Sequence, residues 1–558
     1  MYYDNKKLIY SPSDIVQFVN SQFACWMNRK LLEEPKSVQP DEEDPQLKIL
    51  QNKGDLHEKA YLEKLLEDGS DVCKIKDGDR LQQTLEAMKE GRQIIFQARL
   101  ESTGMAGNAD FLRLEDQGKS AYTIIDTKLS RHVKPYFMIQ LCCYADMLEE
   151  MTGKRPETIG IVLGNGEECC FRTNDVFYYY ERTKSAFFEF MNSFTPDTPP
   201  QPDPTADHGA WSSHAKQILE DMDHLSRVAN ISKKQILKLN SVGIDTMEKL
   251  SASKAKHIKG INDDVFNRLK EQASLQVSSA DQECPNYKVL QPPLDNNSLG
   301  LAALPPESSM DVFFDMEGYP LGDDLLEYLF GVVYIENGKP EFQDWWAHNE
   351  PEEKAGFEAF IDWVIKRRQT DPTMHVYHYA AYEKTALKRL MGKYGTREEH
   401  VDDLLREGVF IDLYEVVRHG VRVGEPRYSI KNLEHLYMES REGEVTDAGA
   451  SIVYYDAWIE SGQSKNWKKS DLLEKIRDYN EDDCRSTWLL ANWLRERQTE
   501  NNIPWVGSLQ VEDKKEERPV SEAVVLRQQL ADLLFAEIPD EPTEREKDSE
   551  RWRVQELL

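Results

Sequence analysis

Residues 195–210, TPDTPPQPDPTADHGA, contain five prolines. Proline fixes φ and removes a backbone donor, so neither a helix nor an inner strand runs through such a stretch. It reads as an extended linker over 195–212. A second stretch, VSSADQECPNYKVLQPPLDNNSLGLAALPPESS (277–309), is rich in Pro, Ser and Asn and reads the same way. A chain of 558 residues is too long for one hydrophobic core. The two stretches therefore predict folded blocks over 1–194, 213–276 and 310–500, followed by a charged tail over 501–558.

Hydrophobic content of 40% with 30% charged residues describes a soluble globular protein. No apolar run reaches the roughly 18 residues of a membrane span. The N-terminal MYYDNKKLIYSPSD lacks the apolar core of a signal peptide. A cytoplasmic protein without membrane contact is expected. The eight cysteines form no C-x-x-C pair, which predicts reduced structural thiols and no zinc ribbon. A net charge of −31 argues against non-specific coating of nucleic acid or anionic lipid. Divalent ions and a local basic groove still allow a nuclease.

The first block mixes helical and strand patterns. KGDLHEKAYLEKLLEDG spaces Leu56, Ala60, Leu62, Leu65 and Leu66 as a helical stripe. RQIIFQARLES, NADFLRLED and AYTIIDTKLS read as strands, KPYFMIQLCCYADMLEEMTG as a helix, and IGIVLGNG and ECCFRTNDV as two more strands. Asp126 and Lys128 stand two apart, on one strand face. A buried ion pair adds little net stability, so packing explains the pair poorly. In chain order it is joined by His57 on a helix, Asp110 after a Gly-containing turn, and Gln140 and Tyr144 at i and i+4. Hydrolysing a phosphodiester needs a divalent ion on hard oxygen ligands, an activated water and a cation near the developing charge. Two aspartates and a histidine suit the ion, the lysine suits the water, and Gln with Tyr suits steadying the lysine or the phosphate.

The order His, G-x-x-D, D-x-K, Q-x-x-x-Y resembles the PD-(D/E)XK nucleases of the RecB type, including the CRISPR-adaptation exonucleases. The opening SPSDIVQFVNSQFACW is similar to that group's first helix. The resemblance implies a restriction-endonuclease-like domain with Asp110, Asp126 and His57 as metal ligands. It makes Lys128 the catalytic base or its electrostatic partner. Many relatives hold an iron–sulfur cluster on one N-terminal Cys and three beyond the core. Here Cys25 is the one candidate in front, and DHGAWSSHAKQ has none, so no iron–sulfur cluster is expected.

The second block reads as almost wholly helical. Turns at SVGI (Gly243) and IKGI (Gly260) resemble paired helix-hairpin-helix elements, whose backbone amides face phosphates. A plain helical spacer is the alternative. The third block opens with strand DVFFDMEG, then a hairpin turning at Asn337 and Gly338. Strands first, then alternation with helices, is the order of an RNase H-like fold.

DVFFDMEG sets Asp315 and Glu317 on one strand face, and RDYNEDDCRST sets Tyr479 and Asp483 one helical turn apart. VYHYAAYEKTAL carries His378 and Glu383 between them. Converging carboxylates are what two-metal phosphoryl chemistry requires. The pattern resembles DEDD 3′ to 5′ exonucleases of the tyrosine subtype. That resemblance implies Asp315, Glu317 and Asp483 as ligands, with Tyr479 positioning the attacking water. Glu383 stands where relatives commonly have Asp. Asp412 in VFIDLYEVV is a further acid, and YSIKNLEHLY fits a later segment of the pattern.

The whole arrangement is a multidomain α/β chain resembling a bacterial family of RecB-like nucleases. It implies Mg2+ or Mn2+ as cofactor and DNA as substrate, in repair or phage defence. RNA as substrate, and a binding scaffold with inactive nuclease folds, remain alternatives. No G-x-x-x-x-G-K-[ST] loop is present, so any helicase would be a separate partner. In the tail, VVLRQQLADLLFAEI has a helical apolar stripe suited to packing back or binding a partner.

Overall fold

A computed structural model describes residues 1–115, 121–280, 282–294, 296–322, 325–439 and 448–506. The expected tail helix lies outside the described residues. In the first block, helices α1 (Pro12–Asn20) and α2 (Pro45–Glu67) precede a six-stranded sheet. Its strands are β1 (Val72–Lys74), β2 (Ile94–Ser102), β3 (Met105–Leu114), β4 (Tyr122–Thr127), β5 (Thr158–Val162) and β6 (Glu168–Arg172), ordered in sequence. β2, β3 and β4 form an antiparallel meander, and β5 pairs parallel with β4. A parallel pair needs a crossover, supplied by α3 (Pro135–Thr152), which starts on Pro135 and stops at left-handed Gly153.

Alternation divides each strand between two cores. Ile95, Leu112 and Ile124 join the cluster that includes residues of α1 and α3. Ile94, Phe111 and Ile125 pack with α2 through Tyr61, Leu62 and Leu65. The predicted α2 stripe is corrected accordingly: Leu56 and Leu66 are 63% and 42% exposed. Ala60 is exposed as well. Leu62 and Leu65 of the stripe do lie in the seam, joined by the aromatic Tyr61, which meets Phe111 edge-on at 5.1 Å between ring centroids.

Both supposed linkers are partly built into cores. Trp211 is buried among Phe23, Trp26 and Met27, and its Nε1 donates to Asn28 Oδ1 at 2.7 Å. In the second stretch, Tyr287–Val289 pairs with Val421–Val423, and Leu301, Ala302 and Leu304 are fully buried. Pro and Asn around LGLAALP hid a docking segment. Between the two stretches, helices Lys233–Asn240, Met247–Ala252 and α4 (Asp263–Ser279) bury Leu239, Leu250, Phe266 and Leu269.

The C-terminal sheet holds β7 (Val312–Tyr319), β8 (Leu326–Glu336), β9 (Lys339–Trp346), β10 (Val376–His378) and β11 (Phe410–Asp412). Its order is β9-β8-β7-β10-β11, antiparallel through β9, β8 and β7 and parallel through β7, β10 and β11. The β8–β9 hairpin turns at Asn337 (φ 51) and Gly338 (φ 77), the left-handed pair that suits a tight hairpin. Phe314 and Met316 face helices α5 (Glu350–Thr370) and α6 (Tyr382–Tyr394). Asp315 and Glu317 face the other way. There lie α7 (Ala448–Ser461) and the long helix α8 (Asp471–Glu500).

Truncating a fully buried Trp costs about 3–5 kcal/mol. Trp211→Ala is therefore expected to lower stability by that amount in urea unfolding. A loss below about 1 kcal/mol would show that the Pro-rich stretch is a free linker after all.

Candidate active site

Among the described residues, one group of three metal-ligating side chains has its ligand atoms all within 4.8 Å of one another: Asp315, Glu317 and Asp483. β7 supplies the first two, two apart on one face, and α8 supplies the third. The approach of α8 is set by Asn480, whose Nδ2 donates to Asp315 Oδ2 at 2.8 Å. Opposite Asp315 on β8 lies Gly331, where a Cβ would sit 1.7 Å from Asn480 Oδ1. Only glycine leaves room for that amide. One turn further, Cys484 Sγ donates to the Gly331 carbonyl at 3.2 Å.

Glu317 is 6% exposed. Burial and the Asp483 charge push its carboxyl up to about 8, opposed by hydrogen bonds from Ser451 and Asn480 and by Lys431. Ser451 also bonds the Tyr328 hydroxyl at 2.5 Å, tying α7 to the sheet. Tyr479 is buried beside the trio. Burial first, then the Asp483, Glu317 and Asp315 charges, raise its phenol far above the ordinary value. Lys431 Nζ donates to its hydroxyl at 2.9 Å and lies 4.7 Å from the ring centroid. Lys431 follows Ser429, the N-cap of the short helix Ile430–Leu433. The segment YSIKNLEHLY was visible in sequence, but its lysine's partner was not, because the contact depends on the tertiary fold. Asn480 and Ser451 were hidden for the same reason.

The family model RNase_H_2, described as RNase_H superfamily, matches residues 312–495. Residues 312–495 are an RNase H-like domain. Nucleases of this kind hydrolyse nucleic acid with divalent metals, and the carboxylate cluster of this RNase H-like domain fits such ions: hard oxygen ligands, converging and mutually repelling. No curated protein matches the chain.

The other predicted acids of this domain stand apart from the trio. Glu383 is buried at the start of α6, with Oε2 3.3 Å from His378 Nδ1. Burial raises its carboxyl, opposed chiefly by His378. Asp412 caps the helix Leu413–Gly420, accepting from Tyr414 N at 3.0 Å and Ala380 N at 2.9 Å. A capping role accounts for that acid.

In the first block, Asp110 on β3 and Asp126 on β4 lie side by side at the sheet. Asp110 Oδ2 accepts from Thr127 N and Thr127 Oγ1, both at 2.9 Å. Burial, with the Asp126 and Glu58 charges, holds its carboxyl well above the usual range. Asp126 is 2% exposed and its carboxylate pairs with Lys128 Nζ. Lys128 lies just past the strand end, its N–H donating to the Val162 carbonyl at 2.8 Å. His57 Nε2 is 3.4 Å from that same carbonyl. His57 thus reaches the end of β5, but does not join Asp110 and Asp126 in a group within 4.8 Å. The acid nearest those two from α2 is Glu58, which no short-range pattern singles out. It accepts from Gln97 Nε2 at 2.5 Å, and Gln97 holds a left-handed φ of 56, a conformation that marks constrained sites.

Gln140 and Tyr144 lie on α3, on the sheet face to which Asp110 and Asp126 also point, and their bonds hold backbone and not the lysine. The Tyr144 hydroxyl, bonded by Gln140, donates to the Asn108 carbonyl at 2.8 Å. This holds the backbone two residues before Asp110. A Cβ at Gly107 would meet the Tyr144 ring at 2.9 Å, which explains the glycine. In the helical block, Gly243 (φ 81) and Gly260 (φ 83) do form tight turns. The Gly243 N–H is used internally, donating to the Asn240 carbonyl at 3.0 Å. Lys238 Nζ caps the Gly260 carbonyl.

A cation at the trio must displace the Glu317 proton. With that carboxyl near 8, Mn2+ affinity is expected to rise by up to about tenfold per pH unit from 6.5 to 8, then level off. Calorimetric titration reads this. An affinity flat across that range contradicts it.

Proposed function

We propose that the chain is a divalent-metal-dependent nuclease acting on single strands or ends of DNA, with the RNase H-like site working as a 3′ to 5′ exonuclease. The observation that carries this reading is the convergence of Asp315, Glu317 and Asp483, with Tyr479 beside them. Asp315, Glu317 and Asp483 would hold Mg2+ or Mn2+, which when bound supplies charge neutralisation at the phosphodiester and a more acidic water. The chain's own groups do the rest. Asn480 fixes Asp315 in place. Tyr479, kept neutral by its surroundings, adds no negative charge facing the phosphate and positions the attacking water. Lys431 sets the orientation of that phenol and supplies positive charge near the reacting group.

The first block serves in this reading as a second, PD-(D/E)XK-type site. An antiparallel meander, a crossover helix and a parallel strand carry Asp110, Asp126 and Lys128 at one place. Glu58 completes an acidic set on α2 beside His57. The helical block grips nucleic-acid backbone without reading sequence. A role in repair or phage defence, alongside a separate helicase, belongs to the same proposal.

One observation favours a binding scaffold: Glu383, the third acid of the DEDD pattern, is engaged with His378. Asp126→Asn, Asp315→Asn and the double variant, assayed on end-labelled single-stranded DNA and RNA with Mg2+ or Mn2+, separate the readings. The nuclease reading predicts a loss of about a hundredfold or more for the variant of the working site. It also predicts 3′-end shortening by Asp126→Asn enzyme that the double variant lacks. Undiminished cleavage by the double variant would sink the assignment, and preference for RNA would replace the substrate.

A further inference from the structure

The sequence carries a net charge of −31, so a place where arginines gather needs a reason. Three of them line one cavity of about 290 Å3 between the helical block and the RNase H-like domain: Arg268 from α4, and Arg418 and Arg422 from the segment after β11. The carboxylates there do not balance them. Arg422 pairs with Glu271, which also holds Lys288. Arg418 pairs with Glu415 at 3.4 Å, on a rim where both are about half exposed. Arg268 has no carboxylate partner among the described residues. Burial and the Arg268 charge pull the Arg422 guanidinium below its ordinary value.

The walls are held by a closed polar network. The Tyr428 hydroxyl donates to Gln272 Oε1 at 2.9 Å and accepts from Val423 N at 3.0 Å. Gln272 Nε2, from α4, donates to the Val423 carbonyl at 2.8 Å. Tyr428 in the wall and Lys431 at the Tyr479 hydroxyl are three residues apart, so their Cα atoms are at most about 11 Å apart. One short segment of chain thus serves both the cavity wall and the candidate active site.

We infer that this arginine cavity binds a backbone phosphate of the substrate strand, remote from the scissile one, and makes the helical block and the RNase H-like domain a joint clamp. The inference rests on the nuclease reading for its substrate, a nucleic-acid strand. Arginine suits the task because its planar fork meets phosphate oxygens two at a time.

The test uses the full chain with Arg268→Gln, Arg418→Gln and the double variant. Binding of fluorescein-labelled oligo-dT is read by anisotropy with Ca2+ across salt concentrations. The double variant is expected to bind about tenfold more weakly. Its slope of log affinity against log salt should be shallower by about 0.7 for each phosphate that the protein no longer neutralises, and Arg268→Lys should recover most of the slope. Hydrolysis of p-nitrophenyl thymidine 5′-phosphate, which has no remote phosphate, should not change. Absence of all hydrolysis by the wild type would fail the nuclease reading while leaving the anisotropy to judge the cavity. Equal affinity and equal slope in a double variant that melts like the wild type overturn the inference. So does a cavity that serves only free anion: millimolar inorganic phosphate raising the melting temperature of the wild type but not the double variant, with oligonucleotide binding alike in both.

Discussion

The amide of Asn480 lies between Asp315 and the bare backbone of Gly331, and the C-terminal domain is arranged around that fit. Because residue 331 has no side chain, α8 can rest directly on β7 and β8. The same contact sets the rotation of the helix about its axis, placing Tyr479 and Asp483 towards Glu317. Any Cβ at 331 would have to push Asn480 aside, and with it the only acid of the trio that does not come from the sheet. Ionised, the acids repel one another; burial and the Asp483 charge favour the protonated form of Glu317, which lessens that repulsion while the packing of α8 holds the trio in place. A cation offsets that repulsion.

A second contact ties the two catalytic candidates to one framework. Lys53 and His57 are one turn apart on α2. Lys53 Nζ is 3.6 Å from Asp456 and 5.4 Å from the Tyr319 ring centroid. Asp456 belongs to α7, the helix whose Ser451 bonds Glu317, and Tyr319 follows Glu317 on β7. The helix presenting His57 and Glu58 to the first sheet thus touches the helix that supports the RNase H-like trio. Disturbing α2 would be felt at both places.

Strand alternation and helical spacing made much of this legible. Asp315 with Glu317, Asp110, Asp126 with Lys128, and Tyr479 with Asp483 are all visible as short-range patterns, and the structure places each on the element type those patterns predict except Lys128, which follows the last residue of its strand. What was hidden depends on partners far along the chain. Trp211 reads as linker because its pocket is made by Phe23 and Trp26. Glu58 is one more acid on a charged helix until Gln97 and Asp110 meet it. Gly331 reads as an ordinary strand glycine, and Lys431 as a surface lysine. Glu383 and Asp412 show the converse: acids with suitable spacing are spent on a histidine pair and a helix cap.

Anomalous diffraction from crystals soaked in Mn2+ tests the central claim most directly, because it locates ions without requiring turnover. The account predicts a peak bounded by the carboxylates of Asp315, Glu317 and Asp483, lost in crystals of Asp315→Asn protein. No peak at that trio under millimolar Mn2+ at pH 8 would contradict it.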